Sequence, residues 1–202
     1  LTLQLTSRTL FRVGSNMTFG YYESTDKSTS SAIEPVFKGQ DYVVFDVPYI
    51  RDNQAEIINH GNFAIHKVKQ SICGLRNFRY DEITGGEITW WFNLYNIMSV
   101  AAGSEHFYNI YKSLTYCVNQ YFKIFNKQKP KQAWVESWIN SHDAKEVLDI
   151  HDHKWDMHGY ISIEPQDTDT VFLDALTNGN ELYRIKNAPG RIYVGPGNRP
   201  HY

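Results

Sequence analysis

The stretch HDHKWDMHGYISIEP, residues 151–165, carries the pattern that decides both the fold and the chemistry of this chain. Its first three residues form a His-x-His pair, His151 and His153, at the end of the strand-like segment EVLDIH. Because successive side chains of a strand point to opposite faces, both imidazoles lie on one face and can converge on one metal ion. A turn at residues 154–156 and a second strand-like segment, GYISIEP, follow. The stretch therefore predicts two strands joined by a turn, with two candidate metal ligands beside it.

Strand-like segments continue on both sides of this stretch. Six of them follow one another from residue 131 onward: AWVESWI, EVLDIH, GYISIEP, TVFLDAL, ELYRIK and RIYVG. Their spacing of roughly ten residues is typical of an antiparallel sandwich or barrel. Asn178-Gly179 predicts a tight hairpin turn between two of them, because both central positions of a type I′ turn need positive φ.

The N-terminal two-thirds mixes strands with helices. LTLQLT, residues 1–6, alternates apolar and polar side chains, and residues 42–47 form a short apolar run, so both are predicted strands. We expect a single domain over residues 1–202. Within it, residues 1–130 would form a framework of helices and strands, and residues 131–202 would form a metal-binding β core.

Two helices are predicted in that framework. Asp52 is the expected N-cap of a short helix that ends near Gly61. A longer amphipathic helix is predicted over residues 104–126, with Ser104 as its cap, and it ends before Pro130. We expect the longer helix to pack outside the β core.

Composition narrows the class of protein. The 202 residues are 42% hydrophobic and 21% charged with a formal net charge of -2, which excludes a disordered chain and disfavours a nucleic-acid-binding role. No apolar run approaches the ~18 residues that a membrane-spanning helix needs, so no membrane partner is expected. Two cysteines cannot form a disulfide framework, which favours a reducing compartment and a cytoplasmic location.

A third histidine completes the candidate metal site. His201 ends the segment GRIYVGPGNRPH, in which a predicted strand leads through a Gly/Pro-rich turn to a histidine. Two ligands from one strand and a third from a remote strand form an open metal site in a β-barrel. His151, His153 and His201 are therefore the predicted ligands of one metal ion.

These residues also carry a family resemblance. AWVESWIN, then HDHKWDMHGYISIEP, then NAPGRIYVGPGNRPH are similar to the core of the 2-oxoglutarate/Fe(II)-dependent oxygenases of bacteria and phages. The similarity covers roughly residues 131–202. It implies a mainly β fold with flanking helices around a double-stranded β-helix (jelly-roll) core of eight strands. It also implies a hydroxylase that uses Fe(II) and 2-oxoglutarate on a small-molecule or side-chain substrate.

The resemblance assigns roles to single residues. It makes His151 the first iron ligand and His201 the distal one. His153 stands where many of these oxygenases have Asp or Glu, so the site has one negative charge fewer than a triad of two histidines and a carboxylate. Asp156 is the alternative to His153 if the turn folds back toward the ion.

The resemblance also predicts a cosubstrate site. In these enzymes an Arg several positions after the distal histidine pairs with 2-oxoglutarate, and the sequence here ends at Tyr202. Either such an Arg follows Tyr202, or the cosubstrate site is built differently here. In the second case Arg191 is the expected replacement, with Arg184 and Lys186 as further candidates. Ser162 stands where the family often has a Tyr that contacts the cosubstrate, so Ser162 and Arg191 are the predicted cosubstrate-binding residues.

Two other functions compete with this one. The pattern from Gly190 to His201 also resembles the second cupin motif, and His158 stands in the region where the first cupin motif has its Glu. A cupin-type metalloenzyme without 2-oxoglutarate suits a three-histidine ligand set. The third possibility is a β-sandwich binding or virion structural module whose histidines are incidental.

Overall fold

The computed structural model describes residues 2–6, 17–19, 32–77, 79, 96–101, 103–131, 133–140, 148–153, 155–177 and 179–202. The strands in this part of the chain are β1 (Thr2–Thr6), β2 (Met17–Phe19), β3 (Glu34–Lys38), β4 (Val43–Asp46), β5 (Ala133–Trp138), β6 (Met157–Ile161), β7 (Asp169–Leu173), β8 (Glu181–Lys186) and β9 (Arg191–Pro196). The helices are α1 (Pro48–Asp52), α2 (Gln54–Arg76), α3 (Ile97–Val100) and α4 (Glu105–Ile124). These elements confirm the prediction that the chain is largely β with flanking helices.

Seven of these strands form one sheet in the order β2-β5-β1-β6-β9-β4-β3. Every neighbouring pair in it is antiparallel. β1 lies between β5 and β6, and β4 lies beside β9. The sheet therefore draws strands from both sides of residue 130, where the sequence suggested a division between framework and core.

A second, smaller sheet contains the β7–β8 hairpin and the segment that ends at Tyr202. β7 pairs antiparallel with β8, and His201 forms isolated bridges with Phe172 of β7 and with His151. Backbone N–H groups of Val171 and Leu173 donate to the carbonyls of Tyr202 and Pro200 at 3.0 and 2.8 Å. The order across this sheet is thus β8, β7, the segment of His201, and the segment of His151.

Helix α4 confirms the prediction made for residues 104–126. It runs from Glu105 to Ile124, and the Ser104 Oγ accepts a hydrogen bond from the backbone N–H of Phe107, as an N-cap does. No helix among the described residues combines the length and apolarity needed to cross a bilayer.

Helix α2 is much longer than predicted. It begins at Gln54 after Asn53 rather than Asp52, continues through Gly61, and ends at Arg76 before Asn77 in the left-handed conformation. The prediction of a stop near Gly61 was wrong because apolar side chains recur at helical spacing beyond it. Burial of these side chains outweighs the modest cost of one glycine in a helix. The buried side chains are Ile57, Ala64, Val68 and Ile72.

The two faces of the large sheet have different partners. Val43 and Phe45 of β4 and the neighbouring Ile192 and Val194 of β9 belong to a core shared with the helices. Tyr193 points to the opposite face, where it packs in a second cluster with side chains of the β7–β8 hairpin. The large sheet is therefore covered by helices on one side and by the small sheet on the other.

The finer prediction of an eight-stranded jelly roll is not confirmed. Residues 133–202 contribute five strands, and the two sheets are not closed into a barrel by strand pairing in the described part of the chain. Residues 148–150 of the predicted strand EVLDIH are not in a strand, although His151 makes its bridge. Asn178, half of the predicted turn, lies outside the described residues, whereas Gly179 has a φ of 86°.

Candidate metal centre

The three histidines predicted as ligands converge at one edge of the small sheet. One ring nitrogen from each of His151, His153 and His201 lies within 4.8 Å of the others. The ring centroids are 5.2 Å apart for His151 and His153, 4.5 Å for His151 and His201, and 5.1 Å for His153 and His201. The prediction that these residues form a set able to hold a metal ion is supported by this geometry.

Backbone hydrogen bonds bring these distant parts of the chain together. His151 and His201 exchange two backbone hydrogen bonds, with N···O distances of 3.1 and 2.9 Å. The N–H of His153 donates to the carbonyl of Gly197 at 3.0 Å. Because all three positions are held by backbone contacts, the side chains are brought together before any ion arrives.

Two of the imidazoles are also oriented by hydrogen bonds from their Nδ1 atoms to backbone carbonyls. The Nδ1 of His151 donates to the Asp149 carbonyl at 2.7 Å, and the Nδ1 of His201 donates to the Arg199 carbonyl at 2.8 Å. Each of these bonds places the proton on Nδ1, which leaves Nε2 with its lone pair free for a metal. Such backbone partners are common behind metal-bound histidines.

Burial keeps the imidazoles of His153 and His201 neutral near pH 7. Burial, together with the nearby His201 and His151, lowers the pKa of His153 to about 3. Burial likewise lowers the pKa of His201 to about 4, although the hydrogen bond to the Arg199 carbonyl opposes the shift. A metal binds only the neutral imidazole, so near pH 7 no proton has to leave either ring.

The spacing of the rings matches that of imidazoles bound to one ion. With a metal–nitrogen distance of about 2.1 Å and a further ~1.1 Å to the ring centre, two ligands at 90–109° have centroids roughly 4.5–5.2 Å apart. The three observed separations, 4.5, 5.1 and 5.2 Å, fall in this range. The site therefore fits a metal that accepts imidazole ligands, a class that includes Fe, Zn, Cu and Ni.

The predicted cosubstrate residues do not lie at this centre. The Ser162 N–H donates to the Arg191 carbonyl at 2.9 Å, beyond the C-terminal end of β6. His158, whose ring centroid is 4.2 Å from that of His153, lies four positions before Ser162, which corresponds to about 13 Å of extended strand. The Ser162 hydroxyl donates to Asn187, and the Arg191 guanidinium donates to the Lys186 carbonyl. Ser162 and Arg191 thus do not fit a 2-oxoglutarate molecule bound to the three histidines.

The other charged candidates are also elsewhere. Arg184 is exposed and pairs with Glu181 at 2.8 Å and Asp169 at 3.2 Å. Lys186, also exposed, pairs with Asp167 at 2.6 Å. Asp156, the alternative ligand, is exposed and is not among the described side chains whose ligand atoms converge.

Sequence reasoning missed the aromatic layer beside the centre. Phe172 packs 5.2 Å from the His201 ring, and Tyr193 stacks on Tyr160 at 5.3 Å. Arg199, two residues before His201, pairs with Asp41 and lies 5.5 Å from the Tyr183 ring centre. The high tyrosine content was the only sequence signal for this layer.

His158 was not predicted as a site residue, yet it lies against the centre. Its ring is 4.2 Å from that of His153 and 4.8 Å from that of His201, centroid to centroid.

Comparison of the chain with models of known protein families, with curated protein sequences and with solved structures finds no match.

Proposed function

We propose that this chain is a non-haem, Fe(II)-dependent oxygenase whose metal is held by His151, His153 and His201. The observation that carries the proposal is the convergence of three buried or half-buried imidazoles at the spacing of ligands around one ion. Three ligands leave positions on the metal open to exogenous molecules, as in catalytic rather than structural sites.

The path of the chain supports a double-stranded β-helix as the finer fold. From β5 onward, the successive passes lie in the large sheet (β5), small (His151), large (β6), small (β7), small (β8), large (β9) and small (His201). Apart from the β7–β8 hairpin, the chain thus alternates between two facing sheets, as it does in a jelly roll. These are seven passes. The eighth strand of a jelly roll would lie in the large sheet between β5 and β6, and in this chain β1 occupies that position.

In the proposed enzyme, side chains of this chain bind the metal and backbone carbonyls fix the orientation of the metal-binding rings. Nε2 atoms of His151 and His201 would bind the metal, while the carbonyls of Asp149 and Arg199 hold the opposite side of each ring. Fe(II), when bound, supplies the activation of O2 for oxidation of a substrate. The aromatic side chains between the sheets exclude water from one side of the centre.

2-Oxoglutarate is the first candidate for the cosubstrate, because the sequence resembles that oxygenase family. The specific observation that favours the cupin-type alternative is the all-imidazole ligand set, together with the remote position of Ser162 and Arg191. Both candidates share the metal centre, so the metal is tested first.

The metal test measures Fe(II) and Co(II) binding to chelator-treated protein under anaerobic conditions. We expect one ion per chain, and a loss of more than about tenfold in affinity in each of His151→Ala, His153→Ala and His201→Ala. His66→Ala is the matched control, because His66 is an exposed histidine on α2. Stoichiometric binding that is undiminished in all three site variants would contradict the proposal.

The cosubstrate test measures thermal unfolding of the Fe(II)-loaded protein with 2-oxoglutarate or succinate. At a hundredfold excess over Kd, a specific ligand stabilises the folded state by about 2.7 kcal/mol, which raises the Tm of a domain this size by roughly 5–11 °C. A shift with 2-oxoglutarate that is absent with succinate and in His151→Ala supports the 2-oxoglutarate-dependent enzyme. Metal binding without that shift favours the cupin-type enzyme, and no response to either favours a binding module.

A further inference from the structure

A second pair of histidines lies in the helical layer, outside the metal centre. His60 of α2 and His106 of α4 lie beside each other, with ring centroids 5.1 Å apart and an angle of 71° between the ring planes. His60 is exposed and His106 is half-buried. An ion in solution can therefore reach both rings. Neither residue belongs to the group of three histidines that forms the metal centre.

The packing of α2 against α4 holds these two positions together. Ile57 of α2 and Phe107 of α4 are both buried in the core that the helices share with the large sheet. A Cβ at Gly61, the residue after His60, would lie 3.9 Å from the Phe107 ring, so the two helices are in van der Waals contact at this point. Because buried contacts order both helices, the two imidazoles are brought together without a bound ion.

Each of the two rings is held at its Nδ1 atom by a hydroxyl group. The Nδ1 of His60 lies 2.5 Å from the Ser104 Oγ, and the Nδ1 of His106 lies 3.0 Å from the Tyr49 hydroxyl oxygen. The Tyr49 hydroxyl is fixed in turn by the buried Asn109, whose Nδ2 donates to it at 2.8 Å. A hydroxyl oxygen can accept a second hydrogen bond from an Nδ1–H group. In that tautomer the Nε2 atom of each ring carries the lone pair that binds a metal.

We propose that His60 and His106 together bind one Zn(II) ion between α2 and α4. With about 3.2 Å from the ion to each ring centre, the separation of 5.1 Å corresponds to an angle of about 106° at the ion, close to the ~109° of a tetrahedral site. Zn(II) accepts imidazole ligands and takes this geometry. No third His, Cys, Asp or Glu in the described part of the chain converges on the pair, so water completes the coordination.

The site is independent of the proposed oxygenase centre, and the test separates the two. In the double variant His151→Ala/His201→Ala the centre has lost two ligands, so calorimetric titration with Zn(II) measures the helical pair alone. We expect one ion per chain and a Tm that rises with Zn(II) concentration, because the ion binds the folded chain. Adding His60→Ala or His106→Ala should weaken this binding by more than about tenfold. His66→Ala, which removes an exposed histidine from the same helix as His60, should leave it unchanged.

A bridging ion is distinguished from two separate surface ligands by the single variants. If His60 and His106 bound Zn(II) separately, each variant would lose one weak site and keep the other, and this result or undiminished binding in either variant overturns the proposal. If the double variant does not fold, Zn(II) stoichiometry is measured on the native chain. His60→Ala should then bind one ion fewer than the native chain, and equal stoichiometry overturns the proposal. Because His60→Ala keeps His151, His153 and His201, failure of this site is distinguished from failure of the oxygenase centre.

Discussion

Lowering the pH from 7 to 5 is expected to destabilise the metal-free protein by about 4 kcal/mol through two histidines alone. The pKa of His153 is about 3 and that of His201 about 4 in the folded state, against 6.5 for an ordinary histidine. Burial is the main cause of both shifts. The unfolded chain therefore binds protons at these histidines that the folded chain does not bind. The free energy of unfolding falls as the pH drops from about 6.5 toward 3.

The magnitude follows from the protonation of the unfolded state. At pH 5 an unfolded histidine is about 97% protonated, and at pH 7 about 24%, while both buried rings remain largely neutral. Each histidine then costs about 2 kcal/mol over this interval. Because burial also lowers the pKa of His158, that residue acts in the same direction. Total stabilities of single domains are typically ~5–15 kcal/mol, so the loss is large.

Urea unfolding in the presence of a chelator, followed by tryptophan fluorescence, measures this effect. Carboxylates contribute little between pH 7 and pH 5, because their ordinary pKa values lie near or below about 4.3. His153→Leu is the matched variant and should reduce the pH-dependent difference by about 2 kcal/mol. A free energy of unfolding that changes by less than about 1 kcal/mol between these pH values, or an undiminished difference in His153→Leu, would refute the reasoning.

Three further changes test the parts of the fold around the centre. Gly197→Ala should weaken Co(II) binding by more than about tenfold. A Cβ at this position collides with the carbonyl of Trp155, two residues after the ligand His153, and so displaces that segment. Ser104→Ala should lower the free energy of unfolding by about 1 kcal/mol through loss of the α4 cap, measured by urea titration. In the folded protein a thiol reagent should label Cys73 and not Cys117, because burial of Cys117 raises its pKa well above the usual value.

Each of these changes has a control. Gly103→Ala meets no atom within 4 Å and should leave Co(II) binding intact. Ser104→Asp keeps a capping oxygen and should retain most of the stability that Ser104→Ala loses. Denaturation should expose both thiols to the reagent. Equal weakening by the two glycine variants, equal loss in both serine variants, or labelling of Cys117 in the folded chain would contradict the respective argument.

Local patterns sufficed for the elements whose side chains repeat along one face. The alternation in LTLQLT predicted β1, and the apolar run at residues 42–47 predicted β4. The spacing of apolar residues with a serine cap predicted α4 to within two residues at each end. The His-x-His pair and the distal His201 were also visible, because ligand chemistry depends on residue type and local geometry.

Strand pairing and burial were decided by the tertiary structure. No local pattern places β1 between β5 and β6, because the register of distant strands depends on contacts between residues far apart in sequence. That same register carries Ser162 and Arg191 to the far end of β6 and β9 and brings His158 beneath the metal centre. Helix α2 likewise continues through Gly61 because Ile57 and Ala64 on either side of it are buried in the core, a partnership that periodicity alone does not reveal. Alternation along a strand tells which face a side chain takes, whereas only the packed sheets decide what lies opposite that face.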